Sequence, residues 1–229
     1  MGYYYDSTYF LVILGAILVM YAQHKVTSTF AKYDQLETLN RVSGRQAAQT
    51  LLQASNVHNV AIEHVAGRLT DHYDSRNKVL RLSDATDQST SIAAVAVAAH
   101  ECGHALQDAE NYGFLRLRNA FVPVAQIGSS LAMPLMLLGF FLNLFSLIWV
   151  GIIAFSMALI FQIITLPVEF DASKRALAIM ETYRLVEPEE VPAAKKVLNA
   201  AAMTYVASTI NSALTLLRFF LMANSRRRD

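Results

Sequence analysis

At 229 residues, 54% hydrophobic and 16% charged, the chain is more apolar than a soluble domain, for which about 45–50% and about 25% are usual. A formal net charge of +1 excludes an ordinary nucleic-acid partner, which requires a basic surface to neutralise phosphates. The single cysteine, Cys102, excludes an internal disulfide framework and a cysteine-built zinc cage.

The apolar excess lies in blocks. Residues 7–23 are uncharged, preceded by Asp6 and followed by His24, Lys25 and Lys32. Positive charge after the apolar run, with no small-residue cleavage site behind it, predicts an uncleaved membrane helix rather than a removed leader. The tyrosines, among them Tyr3, Tyr4 and Tyr5, are of the kind that membrane interfaces collect.

Residues 25–118 form the main polar region. Ser43, with Gln46 three positions on, is a capping-box pattern that opens the apolar period Ala47, Ala48, Leu51, Leu52, so a helix is expected over 44–54. Residues 56–65 are rich in Val and Ile, Gly67 and 71–77 supply turn residues, and 78–82 alternates polar with apolar; these features predict two or three short strands. From Thr90 an Ala-rich run leads into His100 without a breaker, which predicts a helix over 90–109.

Residues 119–168 contain no Asp, Glu, Lys or Arg, more than twice the length of ~20 residues that one membrane helix needs. The expected arrangement is a hairpin of two spans, 121–142 and 144–166, turning near Asn143, with Pro123 and Pro134 tolerated in the first. A second polar segment, 169–199, precedes the apolar stretch 200–223, which is expected to span or to lie at the interface. Its polar residues Thr204, Ser208, Asn211, Thr215 and Arg218 recur at steps of four and three, a helical face suited to protein or water rather than lipid. Lys25, Lys32, Arg116, Arg118, Lys174 and Arg175 flank the first three spans on one side, which the positive-inside rule assigns to the cytoplasm. Lys195 and Lys196 before the last stretch and Arg226, Arg227 and Arg228 after it leave that stretch unoriented.

His100-Glu101-Cys102-Gly103-His104 is an H-E-x-x-H motif on the predicted helix. Positions i and i+4 share a helical face, so two imidazoles can reach one Zn²⁺. The intervening carboxylate is placed to act as general base on a water that the metal acidifies. A chance pattern is the competing reading, but a core helix rarely carries His, Glu and His unpaired on one turn. A third histidine six residues after the second is absent, since position 110 is Glu110 and no histidine follows His104. Glu169 is the expected third ligand because it ends the uncharged hairpin, while Asp108 and Glu110 are too near to fold back from the same helix. Asp171 or an upstream histidine stays open as an alternative, although His24, His58, His64 and His72 have no partner at ligand spacing. Asp171 and Arg175 are candidates for a carboxylate behind a metal histidine and for a substrate clamp, and Tyr205 for an oxyanion donor; surface or interfacial roles explain the same residues.

Four segments carry a wider likeness: His72-Tyr73-Asp74-Ser75-Arg76, Val79-Leu80-Arg81-Leu82-Ser83, Ala98-Ala99-His100-Glu101-Cys102-Gly103-His104-Ala105 and Glu169-Phe170-Asp171-Ala172-Ser173. Over nearly the whole chain the sequence resembles the YugP-like neutral zinc metallopeptidases of bacteria. The resemblance implies a membrane gluzincin, distantly similar to HtpX-type quality-control proteases and to the CAAX prenyl proteases, with Glu169 as third ligand. It also implies that the strand at 78–82 forms the edge along which an extended substrate pairs. HtpX-like relatives place an Asp four residues after the ligand Glu; here that position is Ser173, with Asp171 two residues after.

The expected fold is therefore an α+β membrane protein, 1–229 as a single domain, in which a small zincin domain with a short sheet merges with three or four transmembrane or interfacial helices. The expected function is zinc endopeptidase at the cytoplasmic face of a bacterial cell membrane, in membrane-protein processing or quality control. Its partners would be peptides or unfolded membrane-protein segments, the lipid bilayer and an unidentified membrane-protein regulator. A zinc-binding membrane scaffold or pseudoprotease is the alternative. A site-2-type protease with its metal inside the bilayer fails on length, because 88–99 is only twelve uncharged residues and Asp108 and Glu110 follow.

Overall fold

The computed structural model describes residues 8–226, so Tyr3, Tyr4, Tyr5, Asp6 and Arg227 and Arg228 lie outside the described residues. The elements in chain order are α1 (Tyr9–Tyr33), α2 (Gly44–Ala54), β1 (Ala61–Val65), β2 (His72–Asp74), β3 (Val79–Ser83), α3 (Ile92–Ala109), α4 (Gly113–Phe141), α5 (Phe145–Thr182) and α6 (Val191–Arg226). The protein is mostly helical with one small sheet, and α1, α4, α5 and α6 are long and apolar enough to cross a membrane. These helices outrun the apolar blocks that announce them: α5 continues past the expected end at 166 to Thr182, and α6 starts at Val191, ahead of its apolar stretch. Among the described residues two compact units result, one built from 8–23, 117–166 and 204–226, the other from 24–116 and 167–203.

In the first, apolar unit, Asn143 makes the turn between α4 and α5 at φ +53°, a left-handed conformation that Asn tolerates. Pro123 and Pro134 lie inside α4 as expected. The two helices meet at small residues: a Cβ on Gly151 would stand 2.8 Å from the Ala132 carbonyl oxygen, a separation that only glycine permits. Trp149 and Phe155 of α5 meet Phe220 and Phe219 of α6 edge to face, both at 5.5 Å. The polar face of α6 turns to α1 at two points, where Asn211 packs on Gly15 and the Arg218 guanidinium lies 4.4 Å over the Tyr9 ring.

In the second unit, the capping box is complete: Ser43 Oγ accepts from the Gln46 amide at 3.2 Å and the Ser43 amide donates to Gln46 Oε1 at 3.0 Å. It starts α2, which buries Ala47, Ala48, Leu51 and Leu52 against α3. Helix α3 begins at Ile92, two residues after the expected Thr90, with Ser91 Oγ accepting from the Ala94 amide at 3.1 Å. It is buried almost all round, which explains the Ala-rich run: small side chains let several elements approach one helix. Phe30 of α1, Leu80 and Leu82 of β3, Met180 of α5 and Leu198 of α6 complete this core, each full burial worth about 1.5–3 kcal/mol.

One expectation about the sheet fails. The strand order is β1-β3-β2, with β3 parallel to β1 and antiparallel to β2. The strand at 78–82 is thus central, paired on both sides, and offers no edge to a substrate. Its Leu80 and Leu82 are wholly buried, so the alternation read from sequence marks the innermost strand; β1 and β2 are the edges.

Candidate metal centre

The site lies within the second unit. Helix α3 presents His100 and His104 from successive turns, with ring centroids 4.8 Å apart. Glu169, on α5, brings Oε2 to 3.2 Å from His100 Nε2 and 3.5 Å from His104 Nε2. The approach depends on Gly103, the glycine inside the motif, because a Cβ there would stand 2.5 Å from the Ala172 carbonyl oxygen on α5. Among the described residues, His100, His104 and Glu169 form the group of His, Cys, Asp and Glu whose ligand atoms converge, all within 4.8 Å.

Two features show that the donor set fits a cation. Tetrahedral zinc with ligands at about 2.0–2.1 Å holds them about 3.3–3.4 Å apart, close to the separations from Glu169 to the two imidazoles. Glu169 is also 1% exposed, and its other oxygen, Oε1, is buried without a hydrogen-bond partner. A carboxylate in that position is costly unless positive charge stands beside it. The same field acts on His104: burial alone would lower its pKa, but the Glu169 hydrogen bond and charge, with the Glu101 charge, outweigh burial and raise it. The pocket favours a cation between these groups.

Glu101 is buried at 8% exposure, and among the described residues no hydrogen bond engages its carboxylate. Cys102, between base and glycine, points the other way, its thiol donating weakly to the Ala48 carbonyl at 3.7 Å. Burial, with the charge of Glu101, pushes that thiol pKa up, which leaves it protonated and inert.

Around the cluster, Ser173 Oγ lies 3.1 Å from His100 Nδ1. Gln107 Oε1 lies 3.0 Å from His104 Nδ1, and Gln107 Nε2 donates to the Val168 carbonyl at 2.8 Å and to Asp171 Oδ2 at 2.9 Å. Asp171 therefore stands behind His104 through an amide rather than touching it. Arg175 Nε donates to Asp171 and Nη1 to Glu110, each at 2.6 Å, which ties α5 to the end of α3. Asp108 accepts from Tyr73 Oη at 2.6 Å and pairs with Lys78; burial and this hydrogen bond push the Tyr73 pKa up. Neither Asp108 nor Glu110 joins the cluster. His58, His64 and His72 are engaged elsewhere, by Asn56, Asp84 and the Thr70 carbonyl. Tyr205 lies on α6 in the apolar unit, partly exposed. Sequence reasoning missed Gln107 and Gly103; the available signal was that Gln107 follows His104 by three and His100 by seven, on the same helical face.

A small sheet beside a buried helix that carries H-E-x-x-H, with a glutamate delivered from a later helix, defines a zincin-like site in a chain whose described residues include four apolar helices long enough to cross a membrane. The chain belongs to the family described as "Putative neutral zinc metallopeptidase", which it matches over residues 8–224. It is similar to the "Putative membrane protease YugP" of Bacillus subtilis (strain 168), with 44% identity over 213 residues that cover 93% of this chain and 95% of that protein. No solved structure matches it.

Proposed function

We propose that the chain is a zinc-dependent endopeptidase acting at the cytoplasmic face of the bacterial cell membrane on peptides or unfolded membrane-protein segments, in membrane-protein processing or quality control. The convergence of His100, His104 and Glu169 beside Glu101, whose carboxylate has no hydrogen-bond partner among the described residues, carries this reading, and family membership supports it. The match over 8–224 favours treating the chain as a single functional domain.

His100 and His104 through Nε2 and Glu169 through its carboxylate would hold the ion. Zinc bound there supplies Lewis acidity, acidifying a water and polarising the scissile carbonyl. Glu101 takes one proton from the attacking water and returns it to the departing amine. Water and peptide give one carboxylic acid and one amine, and no other reactant is required. With β3 enclosed, an extended substrate pairs with an outer strand, β1 or β2. A scaffold that held zinc for structure alone would have no use for the unengaged Glu101.

Cleavage of an unfolded protein such as casein by the purified, zinc-loaded enzyme in detergent tests the proposal. Glu101→Gln is expected to lower turnover by about 10²–10⁴-fold while zinc content stays at the wild-type value. Wild-type cleavage by that variant would overturn it. For the topology, Ser28→Cys near Lys32 is expected to be shielded from an impermeant maleimide in intact cells and labelled after permeabilisation; the sole native thiol, Cys102, is buried and adds little background. Ready labelling in intact cells would reverse the assignment of sides.

A further inference from the structure

Gln107 is wholly buried at 0% exposure, and each of its amide atoms has a partner. The Val168 carbonyl at 2.8 Å and the Asp171 carboxylate at 2.9 Å only accept hydrogen bonds, so the Gln107 NH₂ must face them both. That fixes which way round the amide sits. Its oxygen is then the group that faces His104 Nδ1 at 3.0 Å, and an oxygen there requires Nδ1 to be the donor. With the proton on Nδ1, the lone pair of neutral His104 sits on Nε2, the nitrogen turned to Glu169.

We propose that Gln107 is the positioning residue of the metal centre, a buried amide that reads Asp171 and the Val168 carbonyl on α5 and so sets Nε2 of His104 as the ligand atom. The inference rests on the zinc reading above. The anionic end of the chain is Asp171, and Gln107 polarises the imidazole towards the metal as a directly bonded carboxylate does in other histidine sites. The same amide ties two helices together at the residue before Glu169, since Val168 and Asp171 bracket that ligand on α5. One side chain therefore couples the orientation of a ligand on α3 to the position of a ligand on α5. Ser173 plays no equivalent part at His100, because a hydroxyl can donate or accept and leaves the tautomer open.

Two substitutions separate this role from packing. Gln107→Met keeps the length and removes all polarity. Gln107→Glu keeps an oxygen towards His104 but turns only acceptors to Val168 and Asp171. In competition titrations of the purified full chain against a chromogenic chelator, both variants are expected to bind Zn²⁺ about 10–100-fold more weakly than wild type. With Co²⁺ in place of zinc, both are expected to show a visible absorption band displaced from the wild-type band. Wild-type Zn²⁺ affinity in Gln107→Met, with only metal-free thermal stability reduced, would show a merely structural residue and overturn the inference. Wild-type affinity in Gln107→Glu would overturn the coupling to α5, and that variant still gives a reading if Gln107→Met does not fold. Failure of the wild-type chain itself to bind zinc would instead defeat the underlying functional reading.

Discussion

The two units dispose of their large side chains in opposite ways. In the apolar unit Ile127, Leu131, Leu138, Ile153 and Ile163 are exposed, whereas the buried cluster rests on Ala132, Met136, Ile152 and Ala223. In the polar unit Phe30, Leu51, Leu80, Leu82, Met180 and Leu198 are inside. Lipid tails are as apolar as leucine, so outward-facing leucines lose nothing in a bilayer and helices associate through close contact of small residues. In water, burying large side chains supplies the drive itself. Only the second arrangement leaves a firm, dry framework around a buried carboxylate such as Glu169, with Ser173, Gln107 and Asp171 holding the groups beside it.

Substitutions that address each kind of packing sharpen this contrast. The largest effect is expected at Gly103, the point where the polar unit borrows the small-residue device of the membrane helices. Gly103→Ala must push α5 away from α3, because the new Cβ would stand 2.5 Å from the Ala172 carbonyl oxygen on α5, and a displacement of about 1 Å at a catalytic site can cost about 10²-fold in rate. Proteolysis and zinc content measured together check this; full activity would mean that the helix contact does not set the ligand geometry. Next comes Leu80→Ala on the central strand, expected to destabilise the polar unit by about 2–5 kcal/mol. Cys102 reports it, since its buried thiol reacts with a maleimide dye only when that unit opens, and an unchanged reaction midpoint on heating would contradict the core assignment. The smallest effect is expected at Ile153→Ala, exposed in the apolar unit, where a shift within about 0.5 kcal/mol is usual for a site outside any packed contact. A loss comparable with that of Leu80→Ala would show that this face is covered by protein rather than lipid.

Features decided by neighbours in the chain were legible in the sequence. Ser43 and Gln46 bond to each other, so α2 starts where the pattern places it; Asn143 turns where two apolar runs meet; His100 and His104 share a face because helix geometry leaves no choice. Glu169 was accessible by a longer argument, as the first charge after a hairpin that returns the chain. Strand order was not legible, because the alternation of 78–82 describes one buried face and says nothing about how many neighbours a strand has; the expected edge proved to be the middle. The apolar blocks that end at 166 and begin at 200 do not mark the ends of α5 and α6, for a related reason: loss of apolarity marks the end of lipid contact, not of hydrogen bonding, and both helices run on through it. Gln107 and Gly103 stayed hidden because each matters only through a residue some sixty positions away, Asp171 for the first and Ala172 for the second.

The central claim is that α5 completes the metal site of α3 through Glu169. Zinc content of the purified Glu169→Ala protein, measured beside Glu101→Gln under the same loading, tests it most directly. The account expects Glu169→Ala to lose zinc occupancy and activity together while Glu101→Gln keeps its zinc and loses only activity. Full zinc and full turnover in Glu169→Ala would contradict it and send the search for a third ligand to Asp171 or to the histidines upstream.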